Sequence, residues 1–180
     1  MRSDLPPGYE VADIVGPAVT SAFWGFRPGW TAEPAQCAAL VDPISAPPDT
    51  QLARGLSGSG PGGIIYVVVL TAPPGGLAFD PALSADCGQF TMAFGRSTAS
   101  VRLIDAPPVD SAATVGMATE IKTVVESGNE TDSQAKTFSA YTGDHFVFVT
   151  LVTDPGSPSP PLPPEFAANL LVKTVAALRR

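Results

Sequence analysis

Seven consecutive residues, Ile64-Ile65-Tyr66-Val67-Val68-Val69-Leu70, constrain this chain more than any other stretch. The run is rich in β-branched residues and far too short to span a membrane. Gly62-Gly63 opens it and Pro73-Pro74-Gly75-Gly76 closes it, so it reads as a central strand covered on both faces. A second such run, His145-Phe146-Val147-Phe148-Val149-Thr150-Leu151-Val152, follows a turn at Thr142-Gly143-Asp144. Two strands without a polar face require a sheet with material packed on both sides, at least over its middle.

The length of 180 residues suits one domain, residues 1–180, with a sizeable core. With 20 prolines and 17 glycines, regular elements must be short and loops frequent. Residues 1–8 form an extended lead-in, and Tyr9–Ile14 alternates apolar with polar as a half-buried strand does. Thr31 caps a predicted helix through Val41, with Pro34 in its first turn and Asp42-Pro43 at its end. The Pro-, Gly- and Ser-rich stretch from Ser45 to Gly63 is expected to loop over the surface. Asp80-Pro81 opens a short helical segment ending at Cys87-Gly88. The second half reads as a β-meander: Phe90, Met92 and Phe94 alternate with Thr91 and Ala93, and Val101 and Leu103 flank Arg102. A strand from Met117 to Val125 carries Glu120 and Lys122 opposite Thr119, Ile121 and Thr123, and a polar run, 126–134, leads to Lys136–Tyr141. Residues 154–163 are a proline-rich connector. The chain then ends in a helix over Pro164–Leu178, where Phe166, Leu170, Leu171, Val175 and Leu178 recur at helical spacing. Strands grouped between an early and a late helix predict an α+β fold, an antiparallel sheet flanked by those two helices.

Charge narrows the partners. The net charge is −7, and the ten Lys and Arg residues are scattered along the chain, which argues against a nucleic-acid surface. No apolar run approaches the ~18 residues a spanning helix needs. The two cysteines, Cys37 and Cys87, lie fifty residues apart on either side of the first apolar strand. That spacing excludes a C-x-x-C redox motif, and with His145 as the sole histidine no usual zinc set is available. A Cys37–Cys87 disulfide is the expectation and two small buried thiols the alternative. The bond would close a loop worth roughly 4 kcal/mol in the chain-entropy model and would point to an oxidising compartment. The start of the chain could be that of an intracellular protein or could follow a removed signal peptide; the low-lysine, Pro- and Ala-rich composition with two cysteines fits the second better, with a lipid anchor upstream as a further option.

A particular set of residues carries a resemblance: Leu5-Pro6-Pro7-Gly8-Tyr9-Glu10, Trp30, Cys37-Ala38-Ala39-Leu40 with Asp42-Pro43, Cys87, and the closing helix 166–178. In these the chain resembles a family of small mycobacterial lipoproteins and secreted proteins of unassigned function. That family in turn is similar to the extracytoplasmic sensor domains of mycobacterial receptor serine/threonine kinases. The resemblance implies an exported α+β domain with a groove that receives a ligand. The present sequence carries neither a kinase nor a membrane segment, and has two cysteines where the kinase sensors carry two disulfides.

Chemistry is sparse in the motifs. Ser57-Gly58-Ser59-Gly60-Pro61-Gly62-Gly63 lacks the Gly-Lys-Ser/Thr of a phosphate loop, and no helix start follows it. A serine hydrolase would need His145 as base, yet no Gly-x-Ser-x-Gly elbow occurs. A glycosidase-like pair could draw on acids such as Glu120 and Asp144, and the sequence gives no reason to choose one pair over another. The stronger lead is Phe23, Trp24, Phe26 and Trp30, interrupted by Gly25, Pro28 and Gly29. Trp24 and Trp30 beside Arg27 would make an apolar, cationic rim that stacks on a lipid or sugar. The plain alternative is a hydrophobic plug on the sheet. The expected function is a non-enzymatic extracytoplasmic ligand-binding or sensor-like module needing no cofactor, its ligand an envelope lipid, glycan or peptide. A cell-envelope hydrolase using carboxylates or His145 is the alternative.

Overall fold

In the computed structural model, which describes residues 2–44 and 52–179, all nine strands join one antiparallel sheet. In chain order the elements are β1 (Glu10–Pro17), β2 (Thr31–Glu33), α1 (Ala38–Val41), β3 (Leu52–Gly60), β4 (Gly63–Thr71) and α2 (Ala82–Asp86). β5 (Gln89–Phe94), β6 (Ser97–Ile104), β7 (Ala113–Val124), β8 (Glu130–Tyr141), β9 (His145–Thr153) and α3 (Pro164–Leu178) follow. The strand order is β1-β3-β4-β9-β8-β7-β6-β5-β2. The α+β class, the antiparallel sheet and the closing helix are as expected from the sequence.

The Ile64–Leu70 run lies within β4, third from one edge and not at the middle of the nine strands. Both its faces are nonetheless buried. Ile65 and Val67 join Leu56, Phe138, Val149 and Leu151 under Ala167, Leu170, Leu171 and Val175 of α3. Val68 and Leu70 face the other way, into a cluster with Phe146, Phe148, Met117, Phe90 and Met92. That second face is closed by Trp24, Phe26, Leu40, Val41 and the two cysteines, which come from short 3-10 and α-helical turns and the residues next to them. The sheet thus has a helix face and a disulfide face. Cys37 and Cys87 form the disulfide, with their Cα atoms 5.6 Å apart.

Two expectations are corrected. The helix predicted over Thr31–Val41 is absent: Thr31–Glu33 is a three-residue edge strand paired with β5, followed by a 3-10 turn at Ala35–Cys37 and the single turn α1. Pro34 sits extended at ψ 149°, and a residue preceding proline is disfavoured in the α region, so Glu33 ends a strand and not a helix cap. The loop predicted from Ser45 to Gly63 is also replaced over much of its length, because Leu52–Gly60 forms β3, paired with both β1 and β4. Residues 45–51 lie outside the described residues.

Glycine misled here because it is used for close approach. A Cβ on Gly55 would lie 1.9 Å from the Val67 carbonyl oxygen, and one on Gly60 2.4 Å from the Tyr9 ring. Low β-propensity is overridden where a backbone or ring must sit directly against the strand. The polar run 126–134 is likewise partly strand, since Lys122 pairs with Asp132 and Val124 with Glu130.

Buried hydroxyls punctuate the disulfide face. Thr137 and Thr150, both fully buried, share a hydrogen bond of 2.9 Å across β8 and β9. Thr119, equally buried, has no protein partner for its hydroxyl among the described residues. Thr137→Val is expected to cost about 1–3 kcal/mol by orphaning Thr150, and adding Thr150→Val should recover much of that loss. Thr119→Val should lie within about 0.5 kcal/mol of the parent or stabilise it. Urea unfolding of the three variants reads all three outcomes, and equal costs at Thr119 and Thr137 would contradict the pairing.

Candidate functional site

The aromatic segment begins as a 3-10 turn, Thr20–Trp24, ended by Gly25 in a left-handed conformation at φ 86°. That turn directs Trp24 and Phe26 inward, to 5% and 0% exposure. Phe23 reaches across to Tyr66 and Phe148, with ring centroids 4.6 and 5.5 Å apart. Trp24 therefore has the surroundings of a plug in the disulfide-face core. Arg27 is exposed, and Trp30 is half-buried at the edge of that core. The structure brings Trp30 to the surface beside a shallow hollow of about 450 Å³, with Ala35, Gln36 and Asp42 among its walls. Trp24 takes no part in that hollow.

The candidate catalytic residues do not converge. His145 opens β9 and pairs with Thr71, and Asp144 precedes it, its carbonyl accepting from the Ala72 N–H at 2.8 Å. Glu120 lies level with Gln134 of β8, which is level with Thr153, the last residue of β9. Eight residues of strand therefore separate the levels of His145 and Glu120, roughly 26 Å at strand rise. Ser59, the serine nearest an elbow pattern, is an exposed strand residue between Glu10 and Ile64. Among the described residues, no three His, Cys, Asp or Glu side chains group as a metal would require.

A better-formed opening lies where residue patterns gave no signal. The β3–β4 turn at Pro61-Gly62 and the connector after β9 wall a groove of about 350 Å³. Ile64 and Val152 supply its apolar floor, Pro158 and Pro161 one side, and Ser133, Thr153 and Ser157 scattered hydroxyls. The connector is pinned at both ends: the Leu162 N–H donates to the Gly62 carbonyl at 2.9 Å, and the Asp154 carboxylate accepts from the Gly156 N–H at 2.7 Å. Gly63 permits the tight approach, with φ 121° and space for a Cβ only 2.5 Å from the Val152 carbonyl oxygen. Among the described residues no lysine or arginine lines the groove and Asp154 does, which disfavours an anionic ligand.

Residues 1–179 match the family described as a domain of unknown function, DUF5642. The chain belongs to that family. No curated protein matches it. Among solved structures the DUF5642 chain is similar to an uncharacterized protein of Mycobacterium smegmatis, an Rv0999 ortholog determined by X-ray crystallography. The two share 22% identity at a TM-score of 0.71, over 99% of this chain and 93% of that one. At that identity the likeness establishes a shared fold. A family of unassigned function with a mycobacterial structural relative agrees with one part of the resemblance read from the sequence, that to a mycobacterial family without an assigned function. No helix among the described residues of the DUF5642 chain is long and apolar enough to cross a membrane.

Proposed function

We propose that this protein is a non-enzymatic, extracytoplasmic binding or sensor-like module that holds an envelope lipid or glycan in the groove beside the β3–β4 turn. The groove itself carries the reading: about 350 Å³ walled by glycines, three prolines, Ile64 and Val152, with four Ser and Thr residues and Asp154 among them. Such a lining suits an acyl chain or a sugar ring better than an ion. The Cys37–Cys87 bond supports a compartment outside the reducing cytosol. The separation of Glu120 from His145 and Asp144 supports binding without turnover, and a screen of ester and glycoside substrates is expected to return none.

Amide chemical-shift mapping with a lysophospholipid below its micelle threshold, a disaccharide and an unstructured peptide tests the proposal. One of the first two is expected to give saturable shifts in residues 60–64 and 152–159. Ile64→Glu, which places a charge on a half-exposed floor position, should weaken that binding at least tenfold while leaving the fold intact. Shifts elsewhere, or none with any probe, would count against the reading.

A further inference from the structure

The helix face of the sheet is only partly covered. α3 packs on β4, β8 and β9, while β5, β6 and β7 contribute no comparable contacts to it. Directly opposed residues share a face, so one row can be followed across the boundary: Ile65, Leu151, Lys136, Ala118, Arg102, Gln89. Ile65 and Leu151 are core residues beneath α3. Beyond them the row turns polar, with Lys136 and Arg102 on either side of Ala118. At ordinary strand spacing their Cα atoms are about 10 Å apart.

Ala118 is only 7% exposed, although it belongs to neither apolar cluster. Arg102 and Lys136 flank it in the row, and all three line one depression of about 130 Å³ together with Gln89, Ser100 and Glu120. Arg2, Lys122 and Lys173 have acidic partners, and Arg179 donates to the Asp110 carbonyl. Arg102 and Lys136, like Arg27, Arg54 and Arg96, have no ion pair or side-chain hydrogen bond among the described residues, but these two line one depression together, with Glu120 one step along the same face. Two cations without an ionic partner, lining one depression on a protein of net charge −7, make a place where an anion can bind.

We infer that this depression is a second binding site, separate from the groove, that takes a carboxylate bearing an adjacent hydroxyl, as a sugar acid or 2-hydroxy acid does. Arg102 and Lys136 hold the carboxylate over Ala118, and Gln89 and Ser100 add neutral donors. Glu120, an acceptor when ionised, takes the neighbouring hydroxyl and repels a dianion. The site does not depend on the groove holding a lipid or glycan.

The test is amide-shift titration at low ionic strength with glucuronate, acetate, glucose and sulfate. Glucuronate is expected to shift Arg102, Ala118 and Lys136 saturably and to bind more tightly than acetate, with glucose inert. Arg102→Gln and Lys136→Gln should each weaken glucuronate roughly tenfold or more. Glu120→Gln should reduce glucuronate to the level of acetate. All three positions are on the open sheet face, and unchanged melting curves confirm that folding is intact. An absence of saturable shifts at these residues, or binding that survives Arg102→Gln and Lys136→Gln, overturns the site. Sulfate binding as tight as glucuronate overturns the ligand class.

Discussion

Reduction of the Cys37–Cys87 bond lowers the melting temperature by on the order of 10 °C, the largest effect expected from any single chemical treatment. A closed loop of about 50 residues is worth roughly 4 kcal/mol in the chain-entropy model, and a domain of this size loses a few degrees per kcal/mol. The location adds to the expectation. Cys37 ends a three-residue 3-10 turn, and β2, just before it, is a three-residue edge strand. Neither element has enough backbone pairing to hold Leu40 and Val41 in the core unaided. Without the bond, amide exchange should accelerate first in β2 and α1. Calorimetry with and without reductant, and of the Cys37→Ser/Cys87→Ser double variant, measures the effect. Thiol titration of the denatured, unreduced protein should find almost none. Two thiols per chain, or an unchanged melt, would remove both the stabilising role and the best physical support for export.

The legible parts of the fold are those whose period is carried by side-chain chemistry. β4 and β9 are apolar at every level that matters, so burial on both faces followed from residue type alone. α3 repeats its apolar positions at helical spacing, and Glu120 and Lys122 stand on the open face as alternation demands. The parts that failed are those decided by partners distant in sequence. β3 looked like a loop because Gly55, Gly58 and Gly60 carry no propensity for a strand, yet Val67, Leu5 and Tyr9 occupy the space their side chains would take. The segment around Pro34 looked helical because its apolar spacing fits a helix, while pairing with β5 decided otherwise. The candidate sites divide in the same way. Arg102 between Val101 and Leu103 was legible as a surface residue, but its approach to Lys136 depends on the register of three strands. Register is a property of the assembled sheet, and no local pattern encodes it. The groove beside Ile64 has the same origin, since the connector folds back onto the β3–β4 turn from a hundred residues away.

Trp24→Ala is expected to cost about 3–5 kcal/mol, the range for truncating a large aromatic side chain in a packed core. Trp24 is 5% exposed and lies in the cluster that contains Phe26, Phe146 and Phe148, so its removal leaves a void that the surrounding sheet has little freedom to fill. Trp30→Ala, at a half-buried position on the edge of the same cluster, should cost less than half as much. The indole nitrogen of Trp24 has no protein acceptor among the described residues, so its hydrogen bonding does not anchor it there. Trp24→Phe, which keeps most of the apolar volume and removes that orphan donor, should therefore fall well short of the alanine variant. Urea unfolding followed by far-ultraviolet circular dichroism separates the three, provided the m-value holds steady. A loss of 1 kcal/mol or less at Trp24 would mean that the side chain spends its time outside the core, free to meet a ligand with Arg27 and Trp30. The larger loss instead assigns Trp24 to the plug that seals the disulfide face and leaves Arg27 and Trp30 as the surface residues of that segment.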